Sequence, residues 1–411
     1  MLEFKKHGNH SFAILFLRVL TGFDVGYVAD TLKKIWEVYE QLKKGVLVDT
    51  PKCRIPSSGL TVLIGYGPKI FNLPGVRKKI PRDFFGKQFL PAIAGEPILE
   101  GCGIKYSKHS CENVGSSEHI AIQFISETQM ATHRAVVETW QHLYGNYKNQ
   151  SCLRLTKLYT GFQRDDGRSW LGFHDEVSNM KDAIEREGTI SINIKSNRLK
   201  PDDFWTESGT YMAFLRTVID LDAWNKIGLK DQELIVGRDK RSGGPIIGVD
   251  RGGKPILVEN NPSSSSAEFY DPKFHDHPDY FKTPPISDTT EVKETASSRA
   301  ILSQSHIGRT RHISMISSKD PTSRRIYRQG FDFVASLSDE KKGFGVGLNF
   351  ISFQNDPKRL FFILTDPRWM GKTNFGGSPD LLQHDILSVM SAGMFFVPAR
   401  EKPFPGASIF R

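Results

Sequence analysis

The 411-residue chain is long enough for two domains or one large one, and its 38% apolar and 25% charged residues are typical of a globular protein. Although the net charge is +9, the 55 lysines and arginines are scattered without a basic arm, so we expect no nucleic-acid partner. The four cysteines form no CxxC pair, which favours reduced thiols in a cytoplasmic protein, and no apolar run approaches the roughly 18 residues of a membrane span.

The first elements alternate between strand and helix patterns. The apolar run at 11–19 predicts a buried strand in preference to a signal peptide, because the run is short, is interrupted by Arg18 and has no small-residue cleavage site. Apolar residues three or four positions apart predict an amphipathic helix over 27–44. A run rich in β-branched residues at 59–67 predicts the second strand.

A second helix follows a third predicted strand at 119–125. Ser126 and Gln129 match a capping box at the start of this helix, and Gly145 ends it. A fourth strand at 151–162 completes the order β-α-β-β-α-β, which is the ferredoxin-like unit. The side chains that spacing assigns to the buried face of the helix are Met130, Val137, Trp140 and Tyr144.

The second half starts a similar unit. The stretch 209–227 predicts a strand that runs into a short helix, and 324–337 and 345–354 predict two further strands. The stretch 378–390 predicts a last helix, because it opens with a serine suited to the N-cap and a proline suited to the first helical position. Two α+β units of similar kind are the simplest architecture.

Three suggestive motifs are assigned no function. The stretch 248–255 has the spacing of a phosphate-binding loop, but Pro255 follows its lysine, so the hydroxyl that would bind magnesium is missing. Two histidines at 274–280 lie in a proline-bounded polar loop without a second ligand pair, which favours a solvated loop over a metal site. Asp165 and Asp166 are interpreted as turn residues, although paired carboxylates can act in acid–base catalysis.

Two stretches that fit no helix or strand pattern resemble motifs of the dye-decolorising (DyP-type) peroxidase family, a group of haem enzymes. The family's distal loop has the pattern G-x-x-D-G and usually ends in a small residue and Asn. Here Gly172, Asp175, Ser178 and Asn179 match, and Glu176 replaces the second glycine.

The family's proximal region has a histidine shortly before a basic residue, and an arginine-containing strand about twenty residues on. His306 and Arg309 fill the first part of this pattern, and Arg328 opens the Arg-Gln-Gly that follows 22 residues after His306. Strands similar to the family's occur in the right order, so the resemblance covers nearly the whole chain.

The resemblance implies an α+β fold of two ferredoxin-like domains with antiparallel sheets, at 1–160 and 161–411, with haem b held in the C-terminal half. It implies that His306 is the iron ligand, with His312 as the spare candidate. Asp356, at the end of the strand 345–354, would accept a hydrogen bond from the ligand's second ring nitrogen.

The resemblance also assigns the distal chemistry. Asp175 would carry the peroxide proton, and Arg328 would stabilise the developing negative oxygen. Leu348 and Phe350 would keep the pocket narrow and dry, and Arg309 is either a propionate partner or a solvated side chain. The residues implied to contact the cofactor are Gly172, Phe173, His174, Glu176, Val177, Ser178, Asn179, Arg309, Leu348 and Phe350.

The function implied is a haem peroxidase that uses hydrogen peroxide to oxidise phenolic, dye-like or other bulky aromatic donors. The alternative is a haem-binding, storage or haem-iron-handling protein with little peroxidase turnover. A third interpretation is a ferredoxin-like module without haem that binds ligands or partners. The sequence leaves a homo-oligomer open.

Overall fold

The computed structural model describes residues 10–47, 52–81, 112–113, 118–145, 151–174, 179–180, 183–236, 240, 247–249, 255–257, 325–336, 344–365 and 386–411. The strands within these ranges are β1 Ser11–Val19, β2 Thr61–Tyr66, β3 Glu112–Asn113, β4 Ile120–Ser126, β5 Leu153–Phe162, β6 Thr210–Ile219, β7 Ile247–Val249, β8 Pro255–Leu257, β9 Tyr327–Ala335, β10 Gly345–Gln354 and β11 Leu387–Val397. The α-helices are α1 Val25–Lys43, α2 Gln129–Tyr144, α3 Ala183–Ile190, α4 Leu221–Asn225, α5 Leu229–Val236 and α6 Lys358–Thr365.

Nine of these strands form one sheet in the order β2-β4-β1-β5-β9-β10-β6-β11-β3. The N-terminal block, β2-β4-β1-β5, and the C-terminal block, β9-β10-β6-β11, are each antiparallel throughout. Numbered along the chain within its block, each follows the order of a ferredoxin-like sheet, so the predicted fold class is confirmed. The boundary at residue 160 between two domains stays a prediction.

The blocks meet edge to edge at two places and pack face to face between them. β5 pairs with β9 at Phe162 and Asp332, and β11 pairs with β2 at Phe396 and Tyr66. Alternate residues of each strand point inward. One of the inward contacts is a stack of Phe12 of β1 on Phe331 of β9, with ring centres 4.5 Å apart. Helices α1, α2 and α6 pack on the outer side of the strands. No helix among the described residues is long and apolar enough to cross a membrane.

Two predictions about α2 are wrong. Its N-cap is Thr128, which accepts from the Ala131 backbone N–H, because Ser126 is still the last residue of β4. The predicted face is mostly outside: Met130 and Trp140 are 69% and 49% exposed. The buried face instead carries small residues and hydroxyls, which allow close approach to the sheet; its residues are Ala131, Thr132, Ala135, Thr139 and Leu143.

The predicted helix over 378–390 is also wrong in the part that the structure describes. Leu387 to Met390 belong to strand β11, which pairs with β6 along its length. This long-range pairing outweighs the local preference of the chain. The serine and proline that signalled a helix start lie outside the described residues.

Candidate functional site

Arg328 lies on the outer face of the C-terminal block, together with the two apolar residues predicted to line the pocket. In the register between β9 and β10, Phe350 lies opposite Gly330 and Leu348 lies opposite Asp332. Directly opposed residues of antiparallel strands point to the same side, and so do alternate residues of one strand. Arg328, Leu348 and Phe350 therefore share one face, and all three are half-buried.

Asp332 is a residue of this face that the sequence reasoning missed. It lies four positions after Arg328 in β9 and is only 4% exposed. The strand period of two, applied to Arg328, would have placed it beside the predicted residues. The face thus combines a guanidinium, a buried carboxyl group and a half-buried apolar strip.

Asn179 joins the end of the predicted distal loop to Arg328. Its Nδ2 donates to the backbone oxygen of Arg328 at 2.6 Å, and its Oδ1 accepts from the Arg328 backbone N–H at 3.2 Å. β5 pairs with β9 at Phe162 and Asp332, and at Arg328 the Asn179 side chain binds both backbone groups in the way that a neighbouring strand would. Asn179 itself is 6% exposed.

The beginning of the same loop is a closed turn over 168–174. The Ser169 N–H donates to the Phe173 oxygen at 3.0 Å, and the Gly172 N–H donates to the Ser169 oxygen at 2.8 Å. Gly172 has φ of +87°, a conformation that glycine adopts without strain. The His174 backbone bridges to that of Arg168, which closes the turn.

Phe173 anchors this turn in a small core. It is 5% exposed, and its ring meets that of Trp224 edge to face at 6.3 Å. The Trp224 indole N–H donates to the Leu171 oxygen at 3.1 Å. Asp175, Glu176, Val177 and Ser178 lie outside the described residues, but the chain on each side of them is held by these contacts and by Asn179.

Asp356 is buried at the start of α6, with 4% exposure. Its Oδ1 accepts from the Lys358 backbone N–H at 2.9 Å, so it stabilises the first turn of the helix. Next to it, Asn355 donates through Nδ2 to the Gly188 oxygen at 3.1 Å and fixes the strand end against α3. His306, Arg309 and His312 lie outside the described residues, so the hydrogen bond from the ligand to Asp356 stays a prediction.

The structure also places two of the three motifs that we set aside. The residues after Lys254 form β8, which pairs with β7, so no helix begins there as a phosphate-binding loop would need. Asp166 accepts hydrogen bonds from the Arg164 side chain and the Arg168 backbone. Burial raises the pKa of its carboxyl group, but these two hydrogen bonds and the charges of both arginines outweigh burial and keep the pKa below its ordinary value. The stretch 274–280 lies outside the described residues, which themselves contain no cluster of potential metal ligands.

Comparison with known proteins gives one family. The model of the family "Dyp-type peroxidase, C-terminal" matches residues 166–402.

Among solved structures, ferric DtpA from Streptomyces lividans has a TM-score of 0.64 at 18% identity, over 98% of this chain and 93% of that one. A DyP-type peroxidase from Streptomyces coelicolor has a TM-score of 0.63 at 17% identity, over 98% and 93%. A variant of DypB from Rhodococcus jostii RHA1 in complex with heme has a TM-score of 0.59 at 16% identity, over 96% and 94%.

At 16–18% identity the similarity to solved structures establishes the fold alone. The match to the family model establishes the family. The model covers more than half of the chain, including the whole C-terminal block that carries Arg328. The chain therefore belongs to the Dyp-type peroxidase family and is an oxidoreductase of the peroxidase class.

Proposed function

We propose that this protein is a haem peroxidase that uses hydrogen peroxide to oxidise phenolic, dye-like or other bulky aromatic donors. The observation that carries the proposal is the pair of hydrogen bonds between Asn179 and the Arg328 backbone, because it ties the predicted distal loop to the predicted distal arginine. Family membership and the relative in complex with heme support the same conclusion.

The residues of the C-terminal face fit a flat, largely apolar group with a polar edge. Leu348 and Phe350 are half-buried side by side, and the Arg328 guanidinium lies on the same face. When bound, haem b supplies the iron that peroxide oxidises and the donor reduces. His306 would bind the iron, and Arg309 would pair with a propionate.

Asp175 and Arg328 would divide the work on the peroxide between them. Asp175 takes the proton from one peroxide oxygen and returns it to the other, which leaves as water when the O–O bond breaks. Arg328 would stabilise the negative charge that develops during this cleavage, since its guanidinium is a positively charged hydrogen-bond donor. Asn179 supports both roles, because it prevents the loop and the Arg328 backbone from shifting independently.

The remaining loop residues would shape the pocket. Gly172 and Phe173 fix the turn from which the loop leaves, while Val177 and Ser178 would pass over the cofactor. His174 and Glu176 would face the propionates or solvent instead of sharing the proton transfer. The cytoplasmic location stays a prediction.

An absorbance spectrum followed by steady-state kinetics tests this function. We expect a Soret band in the purified protein and sustained turnover of a phenolic donor with hydrogen peroxide. A Soret band without turnover would identify a haem-handling protein instead. If no Soret band appears after haem is supplied, the protein is a ferredoxin-like module that does not bind haem.

A further inference from the structure

Lys240 lies across the beginning of the distal loop, although it follows Arg168 by 72 residues. Its ammonium nitrogen is 5.5 Å from the ring centre of Phe173 and 5.7 Å from that of Trp224. A cation at such distances is attracted by the electron density of aromatic rings. The same nitrogen donates a hydrogen bond to Oε1 of Gln232.

The stem of Lys240 occupies the space that a side chain at Gly172 would fill. A Cβ atom added to Gly172 would lie 2.5 Å from Cε and 3.2 Å from Nζ of the lysine. Two features therefore favour glycine at position 172: the turn requires a positive φ, and the Lys240 side chain lies where a Cβ atom would be. The Lys240 side chain therefore packs directly against the turn over 168–174.

Gln232 and Arg168 fix Lys240 from both sides. The Gln232 amide donates to the Trp224 oxygen at 2.9 Å and the Ile227 oxygen at 3.1 Å, so the acceptor of the lysine is held by the end of α4. Arg168 Nη1 donates to the Lys240 oxygen at 2.6 Å and to the Gly172 oxygen at 2.7 Å.

Among the residues that the structure describes, the charged groups that act on the Lys240 ammonium are Glu233 and Arg168. Glu233 accepts from the Lys240 backbone N–H at 2.8 Å. Burial lowers the pKa of the Lys240 ammonium, Glu233 opposes that shift, and Arg168 adds to it.

We propose that Lys240 is a positioning residue for the distal loop. It holds Gly172 and Phe173 against Trp224 and so sets where the chain leaves the turn towards Asp175. The far end of the loop is held by Asn179 on Arg328, and Lys240 is the matching restraint at the near end. This inference rests on the proposed role of Asp175.

Three variants distinguish the effect of the Lys240 ammonium group from the effect of its aliphatic side chain and from a general loss of positive charge. Lys240→Met keeps most of the stem and removes the cation, Lys240→Arg keeps a cation over the rings, and Lys226→Met removes an exposed lysine near α4 as a matched control. A displacement of a catalytic group by about 1 Å can cost on the order of 100-fold in rate. Because Trp224 and Arg168 still hold the turn, we expect roughly a 10-fold loss in the rate of reaction with peroxide for Lys240→Met.

Two further readouts distinguish positioning from mere stability. In Lys240→Met the acid limb of the pH–rate profile should shift, because the surroundings of Asp175 change, while the Soret band keeps its position. Backbone amides over 168–174 should exchange hydrogen faster, with or without haem. Lys240→Arg should restore most of the rate, and Lys226→Met should match the parent protein in all three measurements.

A double-variant cycle with Asp175→Asn links the effect to the loop. If Lys240 acts by positioning Asp175, its roughly 10-fold loss should largely disappear in the Asp175→Asn background. Parent-like rate, pH profile and exchange in Lys240→Met would overturn the proposal. If Asp175→Asn alone behaves like the parent, the proposed shuttle fails; faster exchange in Lys240→Met then still supports the restraint, and unchanged exchange rejects it.

Discussion

The two blocks of the sheet have the same strand order but very different outer faces. On the N-terminal block, Leu15 and Leu17 of β1 are completely buried, and they belong to the same hydrophobic core as the buried Val28 and Leu32 of α1. On the C-terminal block, the corresponding side carries the half-buried Arg328 and its apolar neighbours. One topology thus supports a closed core on one block and, on part of the other, the half-buried face where we propose that the chemistry takes place, as expected if function lies in the site and not in the fold.

Arg328→Leu should have the largest effect, because it removes the guanidinium from the face where we propose that peroxide reacts. We expect the variant to bind haem and to lose roughly 10²–10³ in the rate of reaction with peroxide, the scale for removing one preorganised charge donor. Stopped-flow absorbance measures this rate.

Arg154→Leu is the matched control, because Arg154 is an exposed arginine on β5 of the N-terminal block. It should react at the parent rate. An unchanged rate in Arg328→Leu would make Arg328 a structural residue and would remove the functional difference between the blocks.

Asn179→Ala should damage both stability and rate. It removes both hydrogen bonds to the backbone of the half-buried Arg328, which costs roughly 1–3 kcal/mol in the free energy of unfolding. Asn179→Asp keeps the acceptor and loses the donor, so its unfolding free energy in urea should fall between the alanine variant and the parent. Equal stability of all three proteins would contradict the link between loop and strand.

Tyr39→Phe should change stability alone, because Tyr39 lies in the closed core of the N-terminal block. Its hydroxyl pairs with that of Thr139 at 2.6 Å, and burial raises the pKa of the phenol. Loss of this hydrogen bond should lower the free energy of unfolding by about 1 kcal/mol. The rate with peroxide should stay at the parent value; a reduced rate would show that the two blocks are functionally coupled.

Local sequence patterns correctly predicted the strands and helices in which large apolar residues form the buried face. The run at 11–19 coincides with β1, and the helix predicted over 27–44 is α1 at 25–43, because in each the large apolar residues are the buried ones. In α2 the buried residues are small or carry hydroxyls, such as Thr132, which bonds Ser11 at 2.7 Å. Apolar spacing alone therefore selected the wrong face.

The site was predictable only where a motif marks it. Asn179 and Arg328 were found by resemblance, but their contact spans 149 residues and uses backbone atoms of Arg328, which no local pattern reveals. Lys240 had no signal, since it is a single lysine in a stretch rich in glycine and charge. Long-range partners of this kind become visible only in the folded chain.

The smallest expected effect is a pH dependence that belongs to the N-terminal block. His119 has a pKa lowered from 6.5 to about 4, mainly by burial and further by Lys69 and Arg18, while Glu118 opposes the shift. Its Nδ1 accepts from the Val19 N–H at 3.3 Å, so the fold holds the neutral ring.

Below pH 6.5 the unfolded chain binds a proton at His119 that the folded protein does not, so this residue makes stability fall as the pH drops from 6.5 to about 4 and has no effect above that window. His119→Asn keeps an acceptor but cannot titrate there, so its Tm should fall less steeply across the same window, with all other groups unchanged. The pH profile of the reaction with peroxide, measured well below Tm, should be the same in both proteins, since we propose that Asp175 sets the acid limb of that profile. Parallel Tm profiles would show that His119 does not titrate differently on folding, and a shifted rate profile would place it in the reaction instead.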